Sequence, residues 1–385
     1  MDNKIIWRPF TQENTTPPPI KIIGGEGAYL FAENGDKYLD MISSWFVNLH
    51  GHANREIAEA ISRQAKTLEH VIFTRFTHDP AEKLVEALGQ ILPSELNRYF
   101  FSDNGSTAVE VALKMAFQYF QNIGENGRNI FLSLEGGYYG DTFGAMSVSG
   151  INSKYHAAFS NLFFKTIMID VPEYYEGVES IEKKEEEIIN DLEEKLKSRG
   201  DKICALILEP LLQGSFGMRL YRPDFLKKLV FKVREYNILV IFDEILTGFF
   251  RTGKMFAFEH TNVLPDFLCL SKGITGGFLP LALTITSKKI YNAFLSDDKS
   301  KTFLHGHSYT ANPIACAAAC KSLEILRRRE TMDRIEEISR FHRSHSIPRA
   351  LKRRSIGVIT AFDVDSEDAV NQLIDNAWKN RIFLR

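Results

Sequence analysis

Short apolar runs recur along the chain: NRYFF from 97, NIFLSL from 129, ICALIL from 203, ILVIF from 238, DFLCL from 266 and LALTITS from 281. Each closes on a polar or glycine-rich break, as a buried strand does. Between them lie stretches of helical period at 53–68, 80–92, 106–120 and 177–200. Strands that alternate with helices predict an α/β fold around a mainly parallel sheet. GEGAYLFAENGDKYLDM (25–41) alternates apolar and polar positions about Asn34-Gly35, which predicts a hairpin. Pro9 and Pro17-Pro18-Pro19 hold the start of the chain extended. Near the other end, 327–354 reads as a solvated helix and loop, 357–365 as a strand, and 367–385 as a helix leading into a strand.

What closes the runs changes the picture. Asp243-Glu244 ends one and Lys272 ends the next. Open α/β sheets bind ligands at the carboxyl edge of their strands. An acid and an amine delivered there suit pyridoxal 5′-phosphate: the amine holds the cofactor, and the acid keeps its pyridine nitrogen protonated. A strand-end Asp or Lys alone is more commonly a cap or half of a salt bridge, so neighbouring strand ends must agree. At 102–106, SDNGS opens a helix, and Gly105 and Ser106 offer backbone N–H groups, a hydroxyl and the positive end of the helix dipole. That is a phosphate cradle, although simple N-capping explains the motif alone. In LEGGYYGD (134–141), glycines let the backbone approach a ligand, and Tyr138 can stack on a flat ring or merely pack the turn. Glu209 closes a further run, and Asn312-Pro313 opens an Ala-rich helix behind the polar HGHSYT stretch. The Trp45-Phe46 pair, beside His50-Gly51-His52, reads as a core corner or as an aromatic wall.

Composition narrows the class. At 385 residues the chain exceeds the roughly 250–300 that one core usually serves, so two domains are expected. A formal charge of −2 gives no electrostatic reason for a nucleic-acid or anionic-membrane partner. Cys204, Cys269, Cys316 and Cys320 are too scattered for a disulfide framework and read as small core residues, not metal ligands. The start MDNKIIWRPFTQ has no basic segment leading an apolar one, and no run is long enough to span a bilayer. The expectation is a cytoplasmic globular enzyme.

The motifs WRPFTQ, SSWF, SDNGSTAVEVALKMAFQY, GYYGDTFGAMSV, FDEILTGFFRTGK, LSKGITGG and HGHSYTANPIACAAA resemble class III aminotransferases of fold type I, from residue 7 to about residue 326. Within that family the wording is most like the branch that aminates 8-amino-7-oxononanoate in biotin biosynthesis. The resemblance implies Lys272 as the catalytic lysine, Asp243 as the partner of the pyridine nitrogen and Tyr138 as the ring-stacking residue. Gly105 and Ser106 would bind the phosphate, and His307 and Ser308 that of the neighbouring subunit, which implies a homodimer. Phe10, Trp45, Phe46, Gly306 and Arg385 would contact substrate, and Glu209 would position a neighbour. Residues 1–48 and 315–385 would form a small α+β domain around a large cofactor domain at 49–314. The amino donor would be S-adenosylmethionine, with lysine as the alternative. The sequence departs from the family pattern at Phe10 for tyrosine, Phe46 for tryptophan, Tyr139 for histidine and His307-Ser308 for Pro-Thr. The family pattern also continues beyond Arg385, so a shortened small domain is expected. The rivals are another ω-amino-acid transaminase of this class and an impaired, shortened homologue.

Overall fold

The computed structural model describes residues 5–151 and 156–384. The apolar runs pair into a seven-stranded sheet in the order Arg98–Ser102, Ala282–Thr286, Phe267–Leu270, Leu239–Asp243, Ile203–Leu208, Ile130–Leu134, Thr166–Ile169. The last five are mutually parallel, while Ala282–Thr286 runs against both its neighbours. Every residue of Ile130–Leu134, Ile203–Leu208 and Leu239–Asp243 is buried. That is why these strands read as unbroken apolar runs and not as alternations.

The helix Gly105–Asn122 lies on this sheet through Ala108, Val109, Ala112 and Ala116, which share a core with Ala205, Ile207, Ile241 and Phe267. Its small residues allow close approach: Thr284 Oγ1 donates to the Ala108 carbonyl at 2.7 Å. The charge-dense helix Ile181–Arg199 buries Leu192 and Leu196 and carries Glu185 inward. A bidentate Arg222 guanidinium holds that carboxylate at 2.7 and 2.8 Å, so the buried charge is paired.

Among the elements outside the sequence-based expectation, three bear on the sheet and its surroundings. Thr166–Ile169 is a short edge strand, and Pro223–Arg234 is a helix that covers the sheet with Phe225, Leu226, Leu229 and Val233. The third corrects the loop expected within 327–354: after the helix Arg329–Ser344, residues Leu351–Ile356 form a strand paired with Ile359–Asp363. Its basic residues looked solvated, yet Arg354 is buried, donating to the Gly217 and Met218 carbonyls and pairing with Asp363 at 2.9 Å.

The chain divides into two compact units: Glu56–Asp365, which contains this sheet, and Met1–Arg55 with Ser366–Arg385. The second has its own four-stranded sheet, ordered Ile22–Glu26, Tyr29–Ala32, Lys37–Asp40, Ile382–Phe383. The hairpin expected about Asn34-Gly35 is present, joining Tyr29–Ala32 to Lys37–Asp40. The C-terminal segment docks on it: Ile382–Phe383 pairs in parallel with Leu39 and Asp40, and Trp378 of the helix Glu367–Lys379 packs edge-on against Tyr38.

Candidate active site

Five strands of the large sheet end along one edge, and the chemistry-bearing residues follow those ends. Gly105 comes after Arg98–Ser102, Tyr138 after Ile130–Leu134, Glu209 after Ile203–Leu208, Asp243 closes Leu239–Asp243, and Lys272 follows Phe267–Leu270. The parallel pairing of Asp243 with Cys269 sets these last two ends side by side.

Asp243 and Glu244 adjoin in sequence but differ in environment. Glu244 is fully buried and satisfied: it accepts from the N–H groups of Ala257 at 2.7 Å and Phe258 at 2.9 Å, and from the Thr247 hydroxyl. It fastens a turn. Asp243 accepts at Oδ1 from the Ile245 N–H at 2.9 Å. Burial pushes its carboxyl up to about 7, with the Lys272 ammonium and that N–H pulling the other way. Such an acid ionises readily only when a cation faces it.

Lys272 has φ +43, a left-handed conformation that costs a residue with a Cβ and is retained where the surroundings impose it. Burial lowers its ammonium below the ordinary lysine range; Asp243 and Glu209 oppose that shift, and Arg251 adds to it. Burial thus favours the neutral amine over the ammonium. Glu209 follows the strand on the far side of Asp243 from Lys272, its carboxyl pushed up to about 8 by burial and by Asp243. It accepts from the Tyr138 N–H at 3.1 Å and the Gly214 N–H at 3.0 Å. Those two bonds tie its carboxylate to the backbone of both loops.

Tyr138 is held on both sides. Its hydroxyl donates to Asp141 Oδ2 at 2.8 Å, and its ring stacks with His156 at 6.4 Å between centroids, while His156 Nε2 contacts Asp141 Oδ1 at 3.1 Å. Tyr139, the residue that stands in place of the family histidine, is buried behind it, accepting from Ser133 and donating to the Ile207 carbonyl.

The cradle at the helix start is tight. Asn104 caps the helix through the Thr107 N–H, so Gly105 and Ser106 form its first turn. A Cβ on Gly105 would meet Ile245 at 3.0 Å. Gly140 has φ +119, and a Cβ there would lie 2.0 Å from Ser106 Oγ, which instead accepts from the Asp141 N–H at 3.3 Å. In the HGHSYT loop His307 Nδ1 accepts from the Tyr309 N–H at 3.2 Å, and its buried Nε2 has no partner among the described residues. Ser308 and Gly306 are exposed on the same loop.

Phe10, Trp45 and Phe46 belong to the other unit, where Phe10 meets the edge of Trp45 at 5.7 Å. Trp45 is 43% exposed and is not a core residue. Arg385 lies outside the described residues. His156 and Arg251 were not among the expected site residues. His156 has no motif about it in sequence, whereas Arg251 sits in the FFRTGK stretch just after the Asp243 strand, where its position was a signal. A separate cavity of about 580 Å³ lies by Phe250, Lys254, Met332 and Ser339 and is lined by none of the strand-end residues above.

Comparison with known proteins places the chain in a family. The family model described as "Aminotransferase class-III" matches residues 10–384. The adenosylmethionine-8-amino-7-oxononanoate aminotransferase of Synechococcus elongatus is 52% identical over 321 residues, covering 83% of this chain and 75% of the relative. That of Staphylococcus aureus is 39% identical, covering 100% of this chain and 89% of the relative. The crystal structure of the enzyme of that name from Methanocaldococcus jannaschii superposes with a TM-score of 0.89 at 33% identity, covering 100% of this chain and 90% of its own.

Proposed function

Because the chain belongs to the class III aminotransferases, which use pyridoxal phosphate, we propose that it transfers an amino group to 8-amino-7-oxononanoate to give 7,8-diaminononanoate. The observation that carries this is the 52% identity to a relative named for that reaction, over most of both chains. The strand-end residues fit the cofactor on three counts. Gly105 and Gly140 let the helix start and the Tyr138 loop close on Ile245 and Ser106 where a Cβ would clash, His307 Nε2 is a buried donor without a partner among the described residues, and Asp243 is an acid that a cation would ionise.

When bound, the cofactor supplies an electron sink for charge that develops at the substrate carbon. The chain supplies the rest. Asp243 holds the pyridine nitrogen protonated. Lys272 Nζ would anchor the cofactor and, as a free amine, would hold the proton that the amino donor's carbon gives up. Gly105 and Ser106 hold the phosphate, with the helix dipole behind them. Tyr138, fixed by Glu209, Asp141 and His156, covers the ring face. His307 and Ser308 serve the phosphate of a second copy, which makes the working form a homodimer. Phe10, Trp45, Phe46 and Gly306 are assigned to the substrate, and Arg385 to its carboxylate through a bidentate guanidinium.

S-adenosylmethionine is the proposed donor, after the relatives' names. The test is to add S-adenosylmethionine, and separately lysine, to the pyridoxal-loaded protein. Loss of the visible band with the first and not the second supports the assignment. Conversion by lysine alone moves the donor to lysine, and conversion by neither overturns both.

A further inference from the structure

Four consecutive residues that are not glycine, Ser43, Ser44, Trp45 and Phe46, have φ of +50, +48, +64 and +66. Left-handed backbone is disfavoured for L-residues because Cβ crowds the following carbonyl, and it is visited singly, not in runs. A full turn of it needs outside support. The turn closes on itself through the Phe46 N–H to the Ile42 carbonyl at 2.8 Å and the Asn48 N–H to the Ser43 carbonyl at 3.1 Å. A buried carboxylate adds to this hold. Asp40 accepts from the Ile42 N–H at 3.3 Å, the Ser44 hydroxyl at 2.7 Å and His52 Nε2 at 3.0 Å. Asn48 Nδ2 donates to His52 Nδ1 at 3.0 Å, which leaves the ring proton on Nε2 for Asp40. His52 is itself pinned, because its N–H donates to the Gly27 carbonyl at 2.7 Å and a Cβ on Gly25 would meet it at 2.9 Å. The turn carries Trp45 against the exposed ring of Phe10, which is itself left-handed at φ +53.

We propose that Asp40 and His52 are positioning residues that lock Ser43–Phe46 in its left-handed turn, fix the Trp45–Phe10 aromatic pair and so set the affinity for a keto acid with a long hydrocarbon chain. The substrate part rests on the assignment of Trp45 and Phe10 to the substrate; the lock does not. Neither side chain needs to touch a reacting atom for this role.

The test uses the full-length holoprotein in a Trp7→Phe, Trp378→Phe background, so that Trp45 alone emits. Asp40→Ala exposes Trp45 to acrylamide and raises KM for 8-amino-7-oxononanoate about tenfold or more, with kcat and the cofactor absorbance little changed. His52→Gln, which keeps a donor near Asp40, gives a smaller change in the same direction and guards against an Asp40→Ala protein that does not fold. Unchanged quenching in both variants overturns the lock. Altered quenching with unchanged KM, while Trp45→Ala raises KM, overturns the link from turn to affinity. If Trp45→Ala also leaves KM unchanged, the substrate assignment fails and the lock alone stands.

Discussion

At the scale of single residues, one strand edge sorts acids by their surroundings. Glu244 has three donors and fastens a turn, whereas Asp243 has one and keeps the rest of its carboxylate for a ligand. Lys272→Ala removes the anchoring amine and the proton carrier together, and turnover should fall by at least about 10²–10⁴-fold in a steady-state assay. Glu209→Ala removes the acceptor of the half-buried N–H groups of Tyr138 and Gly214, which should cost about 1 kcal/mol in a denaturant titration. Glu209→Gln keeps one acceptor and should cost less. Asp243, Lys272, Gly105 and Ser106 were legible in the sequence because each stands directly after an apolar run. His156 was not, because its ties to Tyr138 and Asp141 exist only once the loop has folded.

At the scale of elements, the strands buried on both faces were readable as apolar runs, and their mainly parallel run followed from alternation with helices. The pair Leu351–Ile356 and Ile359–Asp363 was half hidden, since a buried arginine matched by carbonyls and Asp363 looks in sequence like a solvated one. The left-handed turn at Ser43–Phe46 was invisible for a related reason: no glycine marks it, and its cause is a carboxylate and an imidazole brought in from Asp40 and His52. The Gly105–Asn122 helix start gives a prediction of its own. Gly140→Ala drives a Cβ into Ser106 Oγ from a backbone that favours glycine, so cofactor titration should show weakened binding. Gly127→Ala, where a Cβ meets nothing within 4 Å, should leave the titration unchanged.

At the scale of the molecule, the edge collects buried acids that keep their protons when folded. Asp243 is raised to about 7, and Glu209 and Glu244 to about 8. The unfolded chain releases these protons near about pH 4, so between there and about pH 8 the folded state binds more protons and loses stability as pH rises. Lys272, shifted downward, acts in the opposite sense over the alkaline part of the range up to the ordinary lysine value. Apoprotein melting should therefore occur at a lower temperature at about pH 7.5 than at about pH 5.5, and Asp243→Asn should flatten that slope. No described helix is long and apolar enough to cross a membrane. Purified protein loaded with pyridoxal phosphate, given S-adenosylmethionine and 8-amino-7-oxononanoate, should yield 7,8-diaminononanoate by mass spectrometry, and the Lys272→Ala variant should yield none. Turnover of β-alanine or ornithine with no diamine formed from the oxononanoate would contradict the proposed reaction.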